Sequence, residues 1–254
     1  NAMITRKAAP ARRKAARPKR PRRGGILGFF AGVARWIWRL IWTITWRVSL
    51  VVFLVLALAV GYIYTTIPPL EALLDGRARG SVTMLDREGE VFAWRGDQFG
   101  GVVSAESVSR HLRNAVIATE DKRFYRHLGV SPRGIASAVR INLSEGRGPL
   151  SGHGGSTITQ QTAKLLCLGE PYDPSSGMTE KEYEAECRRS SLGRKAKEAL
   201  FAIAMELKYT KNDILSIYLN RAYIGGGAFG AEAAAQRFFG KPAAALSPAE
   251  GAML

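Results

Sequence analysis

The uncharged stretch from Val48 to Leu70 restricts the folds open to this chain more than any other feature of the sequence. Its 23 residues, VSLVVFLVLALAVGYIYTTIPPL, include no charged side chain. Because a helix of about 20 apolar residues crosses the hydrocarbon layer of a membrane, we predict a transmembrane helix over residues 48–70. A cleaved signal peptide has a shorter apolar region and a small-residue cleavage site, and neither fits well here.

Positive charge is concentrated ahead of this stretch. Of the 37 Lys and Arg residues, 13 lie between Arg6 and Arg47, and the first acidic residue is Glu71. By the positive-inside rule, the N-terminus stays in the cytoplasm and everything after Leu70 lies outside it. We therefore expect a single-pass protein of the inner (cytoplasmic) membrane whose catalytic domain is periplasmic, or more generally extracytoplasmic.

Residues 1–25 are predicted to be a disordered basic cytoplasmic tail, since Pro, Ala and basic residues occur there without an acidic one. Residues 1–2 resemble the remnant of an expression tag before Met3. Beside a membrane, such a tail is expected to bind anionic lipids and not nucleic acid. The Trp/Arg-rich residues 26–47 suit the membrane interface. Alternatively, the transmembrane helix begins early and Arg47 extends its charge to the interface.

The sequence after the span predicts a small β-hairpin followed by helices. Residues 71–104 form a linker and the hairpin, because VTMLDREGEVFAW, from Val82, has two apolar runs around a turn. Residues 105–254 form a mainly helical domain, and we expect the chain to continue beyond Leu254, where the last helix has barely begun. The first predicted helix ends near Glu120, and three others span residues 132–143, 192–209 and 231–239. Three more are predicted by their starts: one at Ser156, one at a Thr210–Asp213 capping box and one after Ser247.

Two cysteines, Cys167 and Cys187, flank the polar segment GEPYDPSSGMTEKEYEAE. Outside the cytoplasm they either form a disulfide that closes this segment or remain two thiols, and we favour the bridge. Two cysteines without a nearby His pattern indicate no metal site.

Glu120 and Asp121 open the charged stretch EDKRFYRH at the end of a predicted helix. The C-terminal end of a helix is the unfavourable pole for a negative charge, so a carboxylate chosen there for stability alone is unexpected. In a cleft it would be a candidate general base. Taken alone, however, this pattern is more often a surface network of ion pairs.

Two further stretches could carry chemistry. GHGGSTITQQ, from Gly152, offers backbone N–H groups and hydroxyls suited to phosphate, although a flexible linker with an N-cap is the alternative. In RKAKE, Arg194 and Glu198 are four residues apart on a helix with apolar neighbours. The glycines at 225, 227 and 230 match GxGxxG, but no strand is predicted before them. We reject dinucleotide binding and expect a tight inter-helix turn or close packing.

In their residues and in their order along the chain, these stretches resemble the peptidoglycan glycosyltransferase domain of class A penicillin-binding proteins and of the monofunctional transglycosylases. The resemblance covers about residues 83–254 and implies a mainly α, lysozyme-like domain with a smaller lobe that dips into the bilayer. The basic tail favours a class A parent. The five motifs are EDKRFYRHLG from Glu120, GGSTITQQTAK from Gly154, RKAKE from Arg194, KNDILSIYLN from Lys211 and RAYIGGGAFGAEAAAQRFFGK from Arg221.

The resemblance implies an enzyme that polymerises lipid II into glycan strands for the cell wall and releases undecaprenyl pyrophosphate. Glu120 matches the general base on the acceptor 4-hydroxyl, and Glu198 matches the second essential carboxylate. The implied partners are lipid II, the growing glycan strand and the membrane. No cofactor is obligatory, and a divalent cation at the pyrophosphate is the one candidate. The implied substrate-binding residues are Asp121, Phe124, His127, Ser156, Thr157, Gln161, Lys164, Arg194 and Lys195.

The chain departs from the family pattern in two places. The Cys-flanked segment lengthens the spacing between Lys164 and Glu198, and we expect it to form an external loop near the donor side. Ser131 replaces the acid that commonly follows the first motif. Two rival functions are a lytic transglycosylase, which would not need the Lys, Arg and Gly-Ser-Thr set, and a non-enzymatic scaffold that acts through the basic tail.

Overall fold

The structure is a computed structural model that describes residues 26–74, 82–89, 91–95, 98–99, 101–149, 151–152, 154–170, 172–189 and 191–254. The predictions for the basic tail of residues 1–25 lie outside the described residues. The described chain divides into two units, one before and one after the junction of Phe53 and Leu54. The described residues are mostly helical, which confirms the expected mainly α fold.

Helix α1 runs without interruption from Ile26 to Thr66. A single helix thus covers the Trp/Arg-rich residues 26–47 and most of the predicted transmembrane residues 48–70. Pro68 and Pro69 follow its end, as expected of residues that cannot continue a helix. The part from Gly28 to Thr66 is long and apolar enough to cross a membrane, and its most apolar 18 residues have a mean hydropathy of 2.4. A single-pass membrane protein fits this helix, whereas its orientation stays a prediction.

Side chains of the helical domain hold the segment that follows α1. The short helix α2 (Leu70–Leu74) buries Leu73 in the core. Lys208 Nζ donates to the carbonyl oxygens of Tyr64, at 3.2 Å, and Ile67, at 2.6 Å. Arg221 Nε donates to the carbonyl oxygen of Leu73 at 2.7 Å. These bonds satisfy carbonyls that the helix ends leave without an intrahelical partner.

The rest of the domain is built from helices that begin at the capping residues visible in the sequence. Capping boxes open α5, α6, α8 and α10, and Ser109, Ser131 and Ser191 cap α3, α4 and α7. The helices are α3 (Arg110–Glu120), α4 (Pro132–Ser144), α5 (Ile158–Leu165), α6 (Glu180–Cys187), α7 (Leu192–Lys208), α8 (Lys211–Arg221), α9 (Ala231–Phe239) and α10 (Pro248–Met253).

Two helices differ from the sequence predictions. Helix α5 begins at Ile158 and not at Ser156, because Thr157 has extended backbone angles and its side chain accepts a hydrogen bond from Gln160 N. The Cys-flanked segment, predicted to be an external loop, contains helix α6. Its capping box pairs Thr179 with Glu182, a spacing that is visible in the sequence.

Two small sheets accompany the helices. Strand β1 (Val82–Leu85) pairs antiparallel with β2 (Val91–Arg95), which is the predicted hairpin. Strand β3 (Gln98–Phe99) runs parallel to β5 (Ala228–Phe229), which pairs antiparallel with β4 (Tyr223–Gly225). The glycine-rich stretch is therefore a hairpin and not an inter-helix turn. Close packing is present as well, since an added Cβ at Gly230 (φ +86°) would lie 2.8 Å from the Asn220 carbonyl oxygen.

Helix α5 lies against α7 and α8 and forms the centre of the core. Its apolar side is fully buried at Ile158 and Ala163, which pack with residues of both neighbours such as Phe201 and Leu215. The opposite side of α5 carries Gln161 and Lys164, which remain partly exposed. Burial of one side thus fixes the direction in which Gln161 and Lys164 point.

Candidate active site

Glu120 is the last residue of α3, and its side chain is exposed. Gln161 Nε2 of α5 donates to Glu120 Oε2 at 2.8 Å. Glu120 and Tyr218 line a cavity of about 250 Å³. Burial, and secondly the charge of Glu120, raise the pKa of Tyr218 to about 12, so its hydroxyl keeps its proton at neutral pH. The cavity wall therefore combines an accessible carboxylate with a neutral hydroxyl.

Asp121, the residue after Glu120, is buried and joins the end of α3 to the start of α5. Its Oδ2 accepts a hydrogen bond from Ile158 N at 3.2 Å and lies 2.8 Å from His127 Nε2. A carboxylate at this point satisfies a free N–H of the first turn of α5 and opposes the positive pole of that helix. Phe124 is fully buried in the core, with Lys211 Nζ 4.5 Å from its ring centroid. Asp121 thus ties the first motif to the second, while Phe124 belongs to the core.

Thr157 fixes the N-terminus of α5. Its buried hydroxyl donates to the carbonyl oxygen of Gly129 at 2.5 Å and accepts from Gln160 N at 3.1 Å. Gly129 (φ +78°) approaches α7 so closely that an added Cβ would lie 2.8 Å from the Ala202 carbonyl carbon. The first two sequence motifs are thereby held against the helix that carries the third.

Glu198 of α7 is 1% exposed and is surrounded by cations. Arg194 Nε and Nη2 donate to its Oε1 at 3.2 and 3.0 Å, and Lys195 Nζ donates to its Oε2 at 2.8 Å. Lys195 Nζ also donates to Ser156 Oγ at 3.1 Å. Both oxygens of Glu198 are thus occupied, and the carboxylate holds Arg194 and Lys195 in one orientation.

A second cavity, of about 430 Å³, lies on the polar side of α5. Among the described residues, Lys164 has no carboxylate oxygen within 4.0 Å. Burial lowers the pKa of Lys164, as do Arg194, Lys195 and Arg188, whereas Glu198 opposes this shift. The residues that line this cavity, which we call the cationic cavity, are Ser156, Gln160, Gln161, Lys164, Leu165, Arg188, Lys195, Glu198, Tyr218, Ala222 and Tyr223.

The two cavities adjoin, because Tyr218, Ala222 and Tyr223 line both. A ligand can therefore face Glu120 at one end and Lys164 and Lys195 at the other. Concentrated positive charge in a partly enclosed cavity is suited to phosphate groups.

The structure divides the predicted site residues into two sets. Ser156, Gln161, Lys164, Lys195 and Glu198 line the cationic cavity, and Glu120 lines the cavity that adjoins it. Asp121, Phe124 and Thr157 are buried, His127 is largely so, and Arg194 reaches the site through its bond to Glu198.

Six residues that line the cationic cavity were not predicted from the sequence, and two of them, Tyr218 and Arg188, carry a hydroxyl and a charge. Tyr218 lies within the KNDILSIYLN motif, so its place in the fourth motif could have identified it. Arg188 follows the Cys-flanked segment, where no motif marks it.

A disulfide closes the segment that lengthens the chain between the second and third motifs. Cys167 and Cys187 are bonded, with their Cα atoms 5.4 Å apart. Within the segment, Tyr183 donates its hydroxyl to the Glu170 carbonyl oxygen at 2.5 Å. The bridge joins the residues that follow α5 to the end of α6, next to the cationic cavity.

The donor set does not suit a metal ion held by the protein. No group of three or more His, Cys, Asp or Glu side chains within the described ranges is placed to hold one. Both oxygens of Glu198 already accept hydrogen bonds from cations. A divalent cation carried by the pyrophosphate itself stays a prediction.

Comparison with known proteins identifies a family over the part of the chain that contains these site residues. The sequence model of the family described as Transglycosylase matches residues 88–254. The chain belongs to the transglycosylase family. It is 38% identical to penicillin-binding protein 1A of Aquifex aeolicus (strain VF5) over 205 residues, 78% of this chain and 25% of that protein. It is also 38% identical to penicillin-binding protein 1A of Neisseria cinerea over 199 residues, 78% of this chain and 22% of that protein.

These matches confirm the resemblance to the transglycosylase domain of class A penicillin-binding proteins. The chain spans about a quarter of the length of these relatives. The match begins at residue 88, so it covers the helical domain that carries all five motifs.

Proposed function

We propose that this domain is a peptidoglycan glycosyltransferase that polymerises lipid II into glycan strands and releases undecaprenyl pyrophosphate. The observation that carries the proposal is the exposed carboxylate of Glu120 beside a cavity that presents Lys164 and Lys195. Family membership supports it, since the matched relatives are named as penicillin-binding proteins. The apolar helix α1 would bring the domain to the membrane surface, where a lipid-linked substrate is met.

In the proposed reaction, Glu120 removes the proton from the acceptor 4-hydroxyl. The hydroxyl oxygen attacks the donor anomeric carbon, and the bond from that carbon to the pyrophosphate oxygen breaks. The electron pair leaves with the pyrophosphate, and attack from the opposite face inverts the anomeric configuration. Gln161 Nε2, which donates to Glu120 Oε2 at 2.8 Å, would orient the carboxylate toward the acceptor.

The leaving group requires positive charge more than a proton. Negative charge increases on the pyrophosphate as its bond to carbon breaks, and preorganised cations stabilise that change. Lys164 has no carboxylate oxygen within 4.0 Å among the residues the structure describes, so its ammonium group is available to an anion. Lys195 is held by Glu198 and Ser156 but is 42% exposed at its side chain, which leaves it accessible.

The rival function of a lytic transglycosylase accounts less well for Lys164 and Lys195. Cleavage of a glycan strand leaves no phosphate, so that reaction gives the cationic cavity no partner. A scaffold that acts through its basic tail gives no role to the Glu120–Gln161 pair.

The test is polymerisation of labelled lipid II by the full chain in detergent, with products resolved by glycan length. The wild type is expected to form strands. Glu120→Gln is expected to form none. It should keep the wild-type unfolding temperature, because the side chain is exposed and the amide oxygen of the new side chain can still accept the hydrogen bond from Gln161. Glu145→Gln, on an exposed carboxylate at the end of α4, is the control and should retain activity. Strands from Glu120→Gln would refute the assignment of the base.

A further inference from the structure

Arg188 lines the cationic cavity although it lies outside the five motifs. It directly follows Cys187 and is the C-cap residue of α6, where its N–H donates to the Glu184 carbonyl oxygen at 3.0 Å. Its side chain shares the cavity wall with Lys164 and Lys195, which come from α5 and α7. The insertion after α5 thus adds a third cation to the cavity.

The guanidinium group of Arg188 has hydrogen-bonding capacity left over. Its Nε and Nη2 atoms are buried, and neither donates a hydrogen bond to the described part of the chain. Nη2 lies 3.3 Å from Glu184 Oε2, an ion pair whose geometry does not make a hydrogen bond. Because no hydrogen bond to the described residues fixes the guanidinium group, it can turn its donors toward a ligand in the cavity. Phosphate oxygens accept such bonds in pairs.

The neighbouring Arg189 shows that the position of Arg188 is not simply that of a basic surface residue. Arg189 Nη1 lies 3.8 Å from Glu186 Oε2, and its side chain is 78% exposed, against 31% for Arg188. Arg189 does not line the cationic cavity. Two adjacent arginines of equal charge therefore differ in burial and in access to the site.

Covalent and hydrogen-bonded contacts hold Arg188 in place. The Cys167–Cys187 disulfide ties the residue before Arg188 to the chain just after α5, which carries Lys164. The bond from Tyr183 to the Glu170 carbonyl oxygen closes the same segment at a second point. The field of Arg188 also reaches Lys164, where it is one of the charges that lower the pKa of that group.

We propose that Arg188 binds the pyrophosphate of the lipid-linked donor together with Lys164, and that the disulfide-closed segment, residues 167–187, holds Arg188 at the cavity. This inference rests on the proposed function and extends it to a residue that no motif marks. An ion pair with Glu184 alone would be the structural alternative, with no effect on ligands.

The first experiment measures binding of a short-chain prenyl diphosphate to the full chain in detergent by isothermal titration calorimetry. Arg188→Gln is expected to weaken binding about tenfold, since the bonds to phosphate oxygens are charge-assisted. Arg189→Gln is the matched control and should bind as the wild type does. Arg188→Lys, which keeps the charge but not the fork of donors, should fall between the two.

The second experiment tests the role of the disulfide. In a Cys167→Ser/Cys187→Ser background, Arg188 is no longer tied to α5, so the additional loss from Arg188→Gln should shrink to about twofold or less. Thermal unfolding of each variant identifies any that has lost its fold. A full tenfold loss in the serine background would refute the role of the bridge.

The outcomes separate this inference from the proposed function. If the wild type binds the diphosphate and polymerises lipid II while Arg188→Gln equals the wild type in affinity, the inference is wrong and the proposed function stands. If Arg188→Gln and Arg189→Gln lose affinity equally, the effect is one of general charge and the inference is wrong. If the wild type neither binds the diphosphate nor forms strands, both fail together.

Discussion

Replacement of Glu198 by Gln tests whether this buried carboxylate acts on the substrate or on its cationic neighbours. Glu198 is 1% exposed, and its oxygens accept hydrogen bonds from Arg194 at 3.0 and 3.2 Å and from Lys195 at 2.8 Å. An amide fills the same volume but offers one oxygen. If that oxygen keeps the two Arg194 bonds, the amide N–H groups face Lys195 Nζ, so donors oppose each other and Lys195 turns away.

The size of the effect follows from the exposure of the two cations. Loss of one partner from a fully buried ion pair costs about 3–5 kcal/mol. Lys195 is 42% exposed and can turn to solvent, which reduces the loss to about 2 kcal/mol. For a domain of this size, such a loss lowers the unfolding temperature by about 4–8 °C.

Two measurements on the full chain in detergent check this prediction. Circular dichroism should show the lower unfolding temperature, and polymerisation of lipid II should show a higher KM as well as a lower rate, because Lys195 no longer faces the donor. Glu186→Gln, which removes an exposed carboxylate 3.8 Å from Arg189, is the control and should change neither quantity. An unchanged unfolding temperature together with lost activity would refute the reasoning and indicate that Glu198 acts on the substrate directly.

Two other changes test the charge of the cavity and the start of α5. The pKa of Lys164 lies below its ordinary value of 10.5 because of burial, so its charge is lost as the pH rises through that lowered pKa. We expect KM for lipid II to rise in that range, and Lys164→Arg to move the rise to higher pH; an unchanged profile would contradict donor binding by Lys164. Thr157→Val removes the cap of α5 and the bond to Gly129, so unfolding should become easier by about 1–2 kcal/mol, measured by thermal denaturation. An unfolding temperature equal to that of the wild type would show that the Thr157 hydroxyl does not stabilise the start of α5.

Capping patterns made most of the helical domain predictable from the sequence. Ser131 with Pro132, and Thr210 with Asp213, stand at the starts of α4 and α8 as expected. These signals are local, since a side chain bonds a backbone N–H two or three residues away. The parallel pairing of β3 with β5 brings together segments more than 100 residues apart, and no local pattern records that contact.

The site was less predictable because burial decides what a motif residue does. Asp121 and Thr157 belong to the polar motifs, yet the structure uses them to join α3, α5 and the loop at Gly129. A sequence gives the residue type but not the depth of the side chain. Arg188 shows the reverse case, since it sits outside the motifs, next to a disulfide and at the end of the unpredicted helix α6.

Glu120 and Glu198 have different surroundings, which suit them to different roles in the proposed reaction. Glu198 is enclosed and bonded to Arg194 and Lys195 on both oxygens, so an incoming hydroxyl finds no free oxygen on it. Glu120 is exposed and bonded to the neutral amide of Gln161 through one oxygen, which leaves the other open to a substrate. We therefore propose that Glu120 takes the proton from the acceptor. On this proposal, Glu198 is essential because it holds Arg194 and Lys195 in place. The two side chains are chemically the same, so the difference between their proposed roles comes from exposure and hydrogen-bond partners alone.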